Sequence, residues 1–314
     1  MKDPDGSLRR GLQIMMGKAT FSDVAAIIGS ALVGRDRPVS AFEPFPPQQD
    51  GAVAFFSGEL APHETIAINA RCLIICRPEV AGAISKRGAS VVSSDYPKFD
   101  FARVHREFFP PPPTKGIHPS VEMDGDLIFG DGIEIGPGSL LSGRIKLGDG
   151  CRIGANTCLL NDVTLGVGVV VRNGTVIGDN AFSFGFGPGG KAVHFPSVGS
   201  VAIGDDVHVG SNALIARGIN EATAISDGCK INDFAHIGNS VTVGLNSMIM
   251  AHTDISARVS IGERCWIGQS SAIIQAVQLG DNVQVAAGSV VVKDVPAGYV
   301  VRGVPAELWR LRPE

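Results

Sequence analysis

Ile231-Asn232-Asp233-Phe234-Ala235-His236-Ile237-Gly238-Asn239-Ser240-Val241-Thr242-Val243-Gly244-Leu245-Asn246-Ser247-Met248-Ile249 decides the fold. A large aliphatic residue returns at every sixth position, and the same beat continues in both directions. Downstream it runs through Ile255, Ile261, Ile267, Ile273, Leu279 and Val285 to Val291, and upstream through Ile225 to Ile219. An earlier run starts at Ile117 and passes through Met123, Phe129, Ile135, Leu141, Leu147, Ile153, Leu159, Leu165 and Val171 to Ile177. Helices repeat at 3.6 residues and strands at 2, so neither alone gives this spacing. If the large residue is position one, position five is small or β-branched, as in Ser139, Thr157, Cys229, Ser247 and Cys265. Position two is often glycine, expected there to free φ at a bend. Stacked coils of short straight segments would bury one continuous core, so the pattern predicts a β-solenoid.

Upstream of Ile117 the beat is absent. Residues 1–18 are polar and expected to be a flexible N-terminus. Residues 19–109 alternate helix-like and strand-like pieces, which predicts a small α/β domain. A helix is expected from Phe21, capped by Ser22 or Asp23. Strands are expected at Ala52–Phe56, Ala70–Cys76 and Ala89–Val92, and a further helix after the turn at Ser94-Asp95-Tyr96. Residues 110–116, with four consecutive prolines, read as a stiff linker. The solenoid is expected over 117–295, with a loop insertion at 178–202, and a tail over 296–314.

Composition narrows the function classes. The chain has 314 residues, 40 of them glycine, with 27 basic and 31 acidic side chains. Near-balanced charge argues against nucleic acid as a partner. No apolar run is long enough to span a membrane, no leader pattern opens the chain, and scattered cysteines fit a reduced, cytoplasmic setting. No histidine–cysteine–carboxylate cluster has zinc spacing, so no metal is expected.

The hexads resemble those of the hexapeptide-repeat acyltransferases, and the resemblance implies a left-handed parallel β-helix, three hexads to a coil. A narrower likeness rests on order. An α/β domain, Ser94-Asp95-Tyr96-Pro97 with Phe101-Ala102-Arg103-Val104, the proline linker and Ile117-His118-Pro119-Ser120 together resemble the UDP-3-O-acylglucosamine N-acyltransferases of lipid A synthesis. So do the two interruptions of the beat. One is the aromatic, glycine-rich loop after Ile177, which ends in His194-Phe195-Pro196-Ser197-Val198-Gly199. The other is a slip in phase near Arg217-Gly218-Ile219. The resemblance implies a cytoplasmic homotrimer with its sites in clefts between solenoids. It also implies an acyl carrier protein or coenzyme A thioester as donor, no tightly bound cofactor, and a uridine-linked amino sugar held partly by the N-terminal domain.

Acyl transfer to an amine needs a base and an oxyanion donor. The two positions that match the family's histidines hold Asn239 and Ala276. With eighteen residues to a coil, His236 stacks on Asp254, which could orient the ring. His236 with Asp254 is therefore the first candidate base, His252 the second, and a solvated surface histidine the plain alternative for both. Asn239 and Asp233 are candidates for holding the sugar. Phe184, Phe186 and His194 of the loop are candidates for touching substrate. Phe55 or Phe56 could stack on a base, or simply pack the core. Lys293, Arg302 and Arg310 are candidates for meeting donor phosphates or an acidic carrier protein, in a tail that resembles acetyl-CoA-dependent sugar acetyltransferases. That tail keeps an acetyltransferase open as an alternative, and the missing histidines keep open an inactive relative that only binds a nucleotide sugar.

Overall fold

A computed structural model describes residues 18–58, 67–110 and 115–312. The expected N-terminal segment, the prolines 111–113, and the positions Ala61 and His63 lie outside the described residues. The chain forms two compact units, Met1–Pro113 and Thr114–Glu314.

The first unit is α/β, with strands β1 (Leu32–Val33), β2 (Ala41–Phe42), β3 (Ala52–Phe56), β4 (Leu73–Cys76) and β5 (Ser90–Ser93) in the order β1-β5-β4-β3-β2. Strands β2 to β5 pair in parallel and β1 is antiparallel on β5. The Leu73–Cys76 run is buried throughout, as a central parallel strand covered on both faces should be. Helix α1 (Phe21–Ile28) is capped by Thr20, whose N–H donates to Asp23 Oδ2 at 2.7 Å. The cap is thus two residues before Ser22 and three before Asp23, the residues expected to supply it: Asp23 serves as the reciprocal acid three residues in. Helices α2 (Pro78–Ser85) and α3 (Pro97–Phe108) complete the unit. Phe55 packs against Phe101 at 5.1 Å between ring centroids, and Phe56 against Phe45 at 4.5 Å.

The second unit is a parallel β-solenoid with three faces. Face one stacks Val201–Ile203, Thr223–Ile225, Thr242–Val243, Ser260–Ile261 and Gln278–Leu279. Face two stacks Val170–Val171, His208–Val209, Lys230–Ile231, Met248–Ile249, Trp266–Ile267 and Gln284–Val285. Face three stacks Val176–Asp179, Leu214–Ala216, His236–Ile237, Asp254–Ile255, Ala272–Ile273 and Val290–Val291. Position-one residues from Ile135 to Ile177 and from Ile225 to Val291 are buried in one continuous core. Ile117 and Met123 are 39% and 47% exposed, because they lie in the first coil and have a neighbouring coil on one side only.

The glycines do a different job from the one expected. Position-two glycines are needed for space. A Cβ on Gly148 would sit 2.6 Å from the Gly166 carbonyl carbon, and one on Gly244 2.6 Å from that of Gly262. The left-handed turn falls at position four, where Asn246, Arg264 and Asn282 have φ of 56°, 53° and 56°. Glycine fills this place at Gly150, Gly168 and Gly228. The small inward residues of position five satisfy themselves on the coil above. Ser139 Oγ donates to Gly154 O (2.9 Å) and Ser247 Oγ to Gly262 O (2.8 Å). Cys151, Cys229 and Cys265 donate to Gly166, Gly244 and Gly280 carbonyls at 3.1, 3.1 and 3.2 Å. These thiols are therefore donors as well as fillers, and burial pushes their pKa up.

Candidate active site

Both interruptions of the repeat fall on the corner between face three and face one, and they bond to each other. The first leaves the solenoid after Asp179. It forms a two-stranded hairpin, Phe184–Phe186 against Ala192–His194, and returns at Val201. The second is four extra residues between Ile215 and Ile225, whose neighbours on the adjacent coil are Ile237 and Val243. Ile219 is therefore not a lattice residue. It is half-buried in the inserted turn, and the lattice resumes at Ile225. Val198 N–H donates to Ile219 O at 2.7 Å, and Gly199 N–H to Gly218 O at 3.1 Å. Gly199 and Gly218 both press on the Glu221 carbonyl: a Cβ would meet it at 2.0 Å and 1.8 Å.

The hairpin presents aromatic rings to solvent. Phe182 is 95% exposed and Phe186 77%. Phe184 lies edge-on to Phe182 (4.9 Å) and to His194 (5.2 Å). His194 Nε2 is 3.1 Å from Ala181 O, so that ring nitrogen is committed to shaping the loop.

One coil beyond the insertion, His236 points outward from face three. Its Nδ1 meets Asp254 Oδ1 at 2.7 Å, with side chains 46% and 55% exposed. The pairing follows from register, since His236 stands beside Asp254 in the parallel ladder. With Nδ1 engaged, Nε2 is the nitrogen left to face a ligand. Asn239 follows three residues later at the interrupted corner, half-buried.

His252 and Asp233 lie on a different corner, between faces two and three. His252 takes the left-handed turn position (φ 58°) and its ring lies flat on Phe234, 4.9 Å away at 2°. Asp233 Oδ1 accepts the Ser211 N–H at 2.7 Å and sits 3.3 Å from Arg172 Nη1. This is a repeated corner device. Asp149, Asp205, Asp227 and Asp281 accept the corresponding N–H one coil back. The basic residues of the tail also separate. Lys293 is exposed on the interrupted corner, whereas Arg302 and Arg310 lie over the Trp309 ring at 4.1 and 4.8 Å in the final hairpin. The structure thus pairs His236 with Asp254 on face three and puts Asn239 and the base of the aromatic hairpin on the corner that follows this face, apart from His252, Asp233, Arg302 and Arg310.

Sequence reading passed over Glu221. Contact with the Ser240 hydroxyl comes first among the influences holding its carboxyl below the usual range, and the Arg258 charge adds to it. The contact falls short of a hydrogen bond: among the described residues the buried Ser240 Oγ has no hydrogen-bond partner. The signal was available only as four residues too many for the repeat. On face two, the His208 imidazole is pushed down by burial and then by the charges of Lys230 and Arg172. Among the described residues no group of three metal-ligating side chains converges, and no helix is long and apolar enough to cross a membrane.

Residues 144–182 and 258–293 match the family described as hexapeptide repeat of succinyl-transferase. A UDP-3-O-acylglucosamine N-acyltransferase of Delftia acidovorans is 42% identical over 205 residues, 63% of this chain and 60% of the relative. One from Leptothrix cholodnii is 32% identical over 231 residues, 66% of each chain. The chain therefore spans somewhat under two thirds of the length of these relatives. Among solved structures, the UDP-N-acetylglucosamine acyltransferase from Campylobacter jejuni aligns with a TM-score of 0.52 at 22% identity, over 62% of this chain and 74% of that one. The structural likeness establishes the solenoid fold.

Proposed function

We infer that this chain, a hexapeptide-repeat solenoid similar to the UDP-3-O-acylglucosamine N-acyltransferases, is an acyltransferase acting on a nucleotide-linked amino sugar in a lipid A-type pathway. The observation that carries the reading is the His236–Asp254 pair, held at 2.7 Å beside the corner where both interruptions meet. In this reading Asp254 fixes the ring through Nδ1. Nε2 takes the proton as the sugar amine attacks the thioester carbonyl. The C–N bond forms, the C–S bond breaks, and the departing thiolate is protonated. Asn239 holds the sugar. The donor is an acylated carrier protein, and the location is cytoplasmic.

The reading includes a homotrimer, as the family resemblance implies. Outward positions on face three next to the pair are apolar: Cys158, Val176 and Leu214 on one side, Ala272 and Val290 on the other. A lane of apolar side chains along a solenoid suits the flank of another copy, and its cover would turn an exposed dyad into a cleft.

The test is release of free thiol from 3-hydroxyacyl carrier protein in the presence of a UDP-linked amino sugar. Thiol release that is lost in H236A supports the reading. A second reading, an acetyltransferase, is favoured by the closing hairpin of Tyr299–Gly303 and Ala306–Leu311; acetyl-CoA in the same assay distinguishes it. Binding of the sugar nucleotide without release from either donor would leave an inactive binding relative, as the Asn239 and Ala276 positions allow.

A further inference from the structure

The hairpin that closes face two joins exposed aliphatic side chains to a cationic rim. Its first strand, Tyr299–Gly303, lies in parallel on Gln284–Val285, and its second, Ala306–Leu311, is the edge strand of that sheet. Residues directly opposite in an antiparallel pair share a face. Leu308 stands opposite the core residue Val301, and Leu311 opposite Tyr299, which packs on the core. Both leucines are therefore on the core-facing side. They are nonetheless 53% and 65% exposed, and Val304 in the turn is 73% exposed. A simple cap on the core would bury such side chains, whereas most of this apolar surface stays in water. Charge borders it. Arg302 and Arg310 are exposed and lie over the exposed Trp309 ring. Arg312 donates from Nη1 to the Arg264 carbonyl at 2.8 Å, which ties the end of the strand to the solenoid. From Tyr299 to Arg312 the charged residues are these three arginines and Glu307, so the hairpin is net positive. Trp309 is the extra residue of a bulge, between Leu308 opposite Val301 and Arg310 opposite Val300. A bulge flanked by arginine obstructs strand pairing at an edge, which disfavours a second copy adding its own strand here.

Protruding aliphatic side chains suit a partner that flows around them, whereas a folded protein would have to supply matching hollows. Tryptophan and arginine bordering an apolar patch fit the lipid–water boundary, where an indole sits at headgroup level and a guanidinium reaches phosphate. We propose that this hairpin docks on the surface of a bilayer containing anionic lipid. Val304, Leu308 and Leu311 enter the boundary of the acyl chains, and Arg302 and Arg310 meet lipid phosphates, with Trp309 between them. The chain lies on the bilayer through this hairpin and does not cross it there. Docking of this kind is independent of the reaction catalysed. Combined with acyl transfer, it would hold the site near the phase into which a newly acylated product partitions.

Co-sedimentation of the full chain with lipid vesicles tests the proposal. Binding is expected to vesicles of phosphatidylglycerol mixed with phosphatidylcholine, to weaken with added salt, and to be far weaker on phosphatidylcholine alone. R302Q/R310Q should lose roughly 25-fold in affinity, about 5-fold for each charge. V304S/L311S should lose a comparable factor, and because both positions are exposed its thermal unfolding should match wild type. The chain has two tryptophans, so W266F leaves Trp309 as the reporter. Its emission should move to the blue on mixed vesicles and be quenched by lipids brominated on the acyl chain. Absence of wild-type binding to the mixed vesicles, undiminished binding by either double variant, or an unmoved Trp309 emission in the bound protein overturns the proposal. So does binding of an acidic acyl carrier protein, lost in the same variants, by a chain that ignores vesicles; the hairpin would then be a protein-docking surface.

Discussion

Val198 N–H donates to the Ile219 carbonyl at 2.7 Å, so the two places where the solenoid breaks its repeat are one structure. Gly199, next to Val198, has no room for a side chain, since a Cβ would lie 2.0 Å from Glu221 O. Replacing it by alanine must push the hairpin away from the inserted turn. G199A is expected to lose about 1–3 kcal/mol of stability, the range for overpacking, and to lower turnover, because both loops line the candidate site. Urea unfolding and the thiol-release assay read the two effects. A stable and fully active G199A would mean that the loops are independent.

His236 and His252 separate by environment. H236A should reduce turnover by roughly 100- to 10,000-fold, the span of general-base contributions. D254N, which keeps the shape and removes the charge that orients Nδ1, should lie between H236A and wild type. H252A should retain turnover and lose only the ring contact with Phe234, worth ~0.5–1.5 kcal/mol. Loss of activity in H252A with normal activity in H236A would reverse the assignment.

The sequence made the solenoid legible because one inward residue per straight segment is enforced by burial, and burial fixes residue type. The eighteen-residue coil also made the His236–Asp254 contact legible, since stacked positions meet in register. The reason for the glycines was not legible. A residue that needs positive φ and a residue that needs an absent Cβ look alike, and only the coordinates separate Gly228 (φ 71°) from Gly244, whose Cβ would strike Gly262. Ile219 was misplaced because an aliphatic residue inside a short insertion can mimic the lattice. Glu221 was missed because inserted residues follow no repeat, so nothing in their spacing tells which side chain is presented.

The glycine distinction makes its own prediction. G244A should destabilise by about 1–3 kcal/mol through direct overlap with the next coil. N246G, at a left-handed position with φ 56°, should be close to neutral, since glycine gains at the turn what it loses in chain entropy. Thermal unfolding of both variants would show it. Equal effects would remove the argument that positions two and four differ.

Cys158 reports on the flank of face three. It is half-buried and outward, while Cys72, Cys76, Cys151, Cys229 and Cys265 are buried. Burial alone pushes the Cys76 thiol up to about 11, which suppresses its thiolate. In a trimer packed through face three, Cys158 should resist alkylation natively and react once subunits separate. Rapid native labelling at Cys158 in a sample that sediments as a trimer would place the subunit contact elsewhere.

His208 gives the fold a pH dependence whose sign follows from its surroundings. Although His208 is exposed on face two, crowding by neighbouring atoms, and after it the charges of Lys230 and Arg172, hold its ring below the ordinary histidine value against the opposing charge of Asp233. Between the folded and the unfolded pKa the unfolded chain binds more protons, so stability rises with pH. The contribution is complete above about 6.5, the unfolded value. It fades as pH falls below that, until the folded ring also protonates. Urea midpoints measured from pH 7.5 down to 5 should therefore decline more steeply in wild type than in H208Q, which keeps a polar side chain of similar size and does not titrate. Parallel declines would assign the acid sensitivity to carboxylates. Arg172 offers the control: R172A removes one of the charges that disfavour the imidazolium and so raises the folded pKa towards the unfolded one; the decline should still begin near the unfolded value but be shallower and end at higher pH. The two variants act on the same ring from opposite sides, one deleting the proton site and the other making protonation easier. A general surface effect would not produce that pair of outcomes.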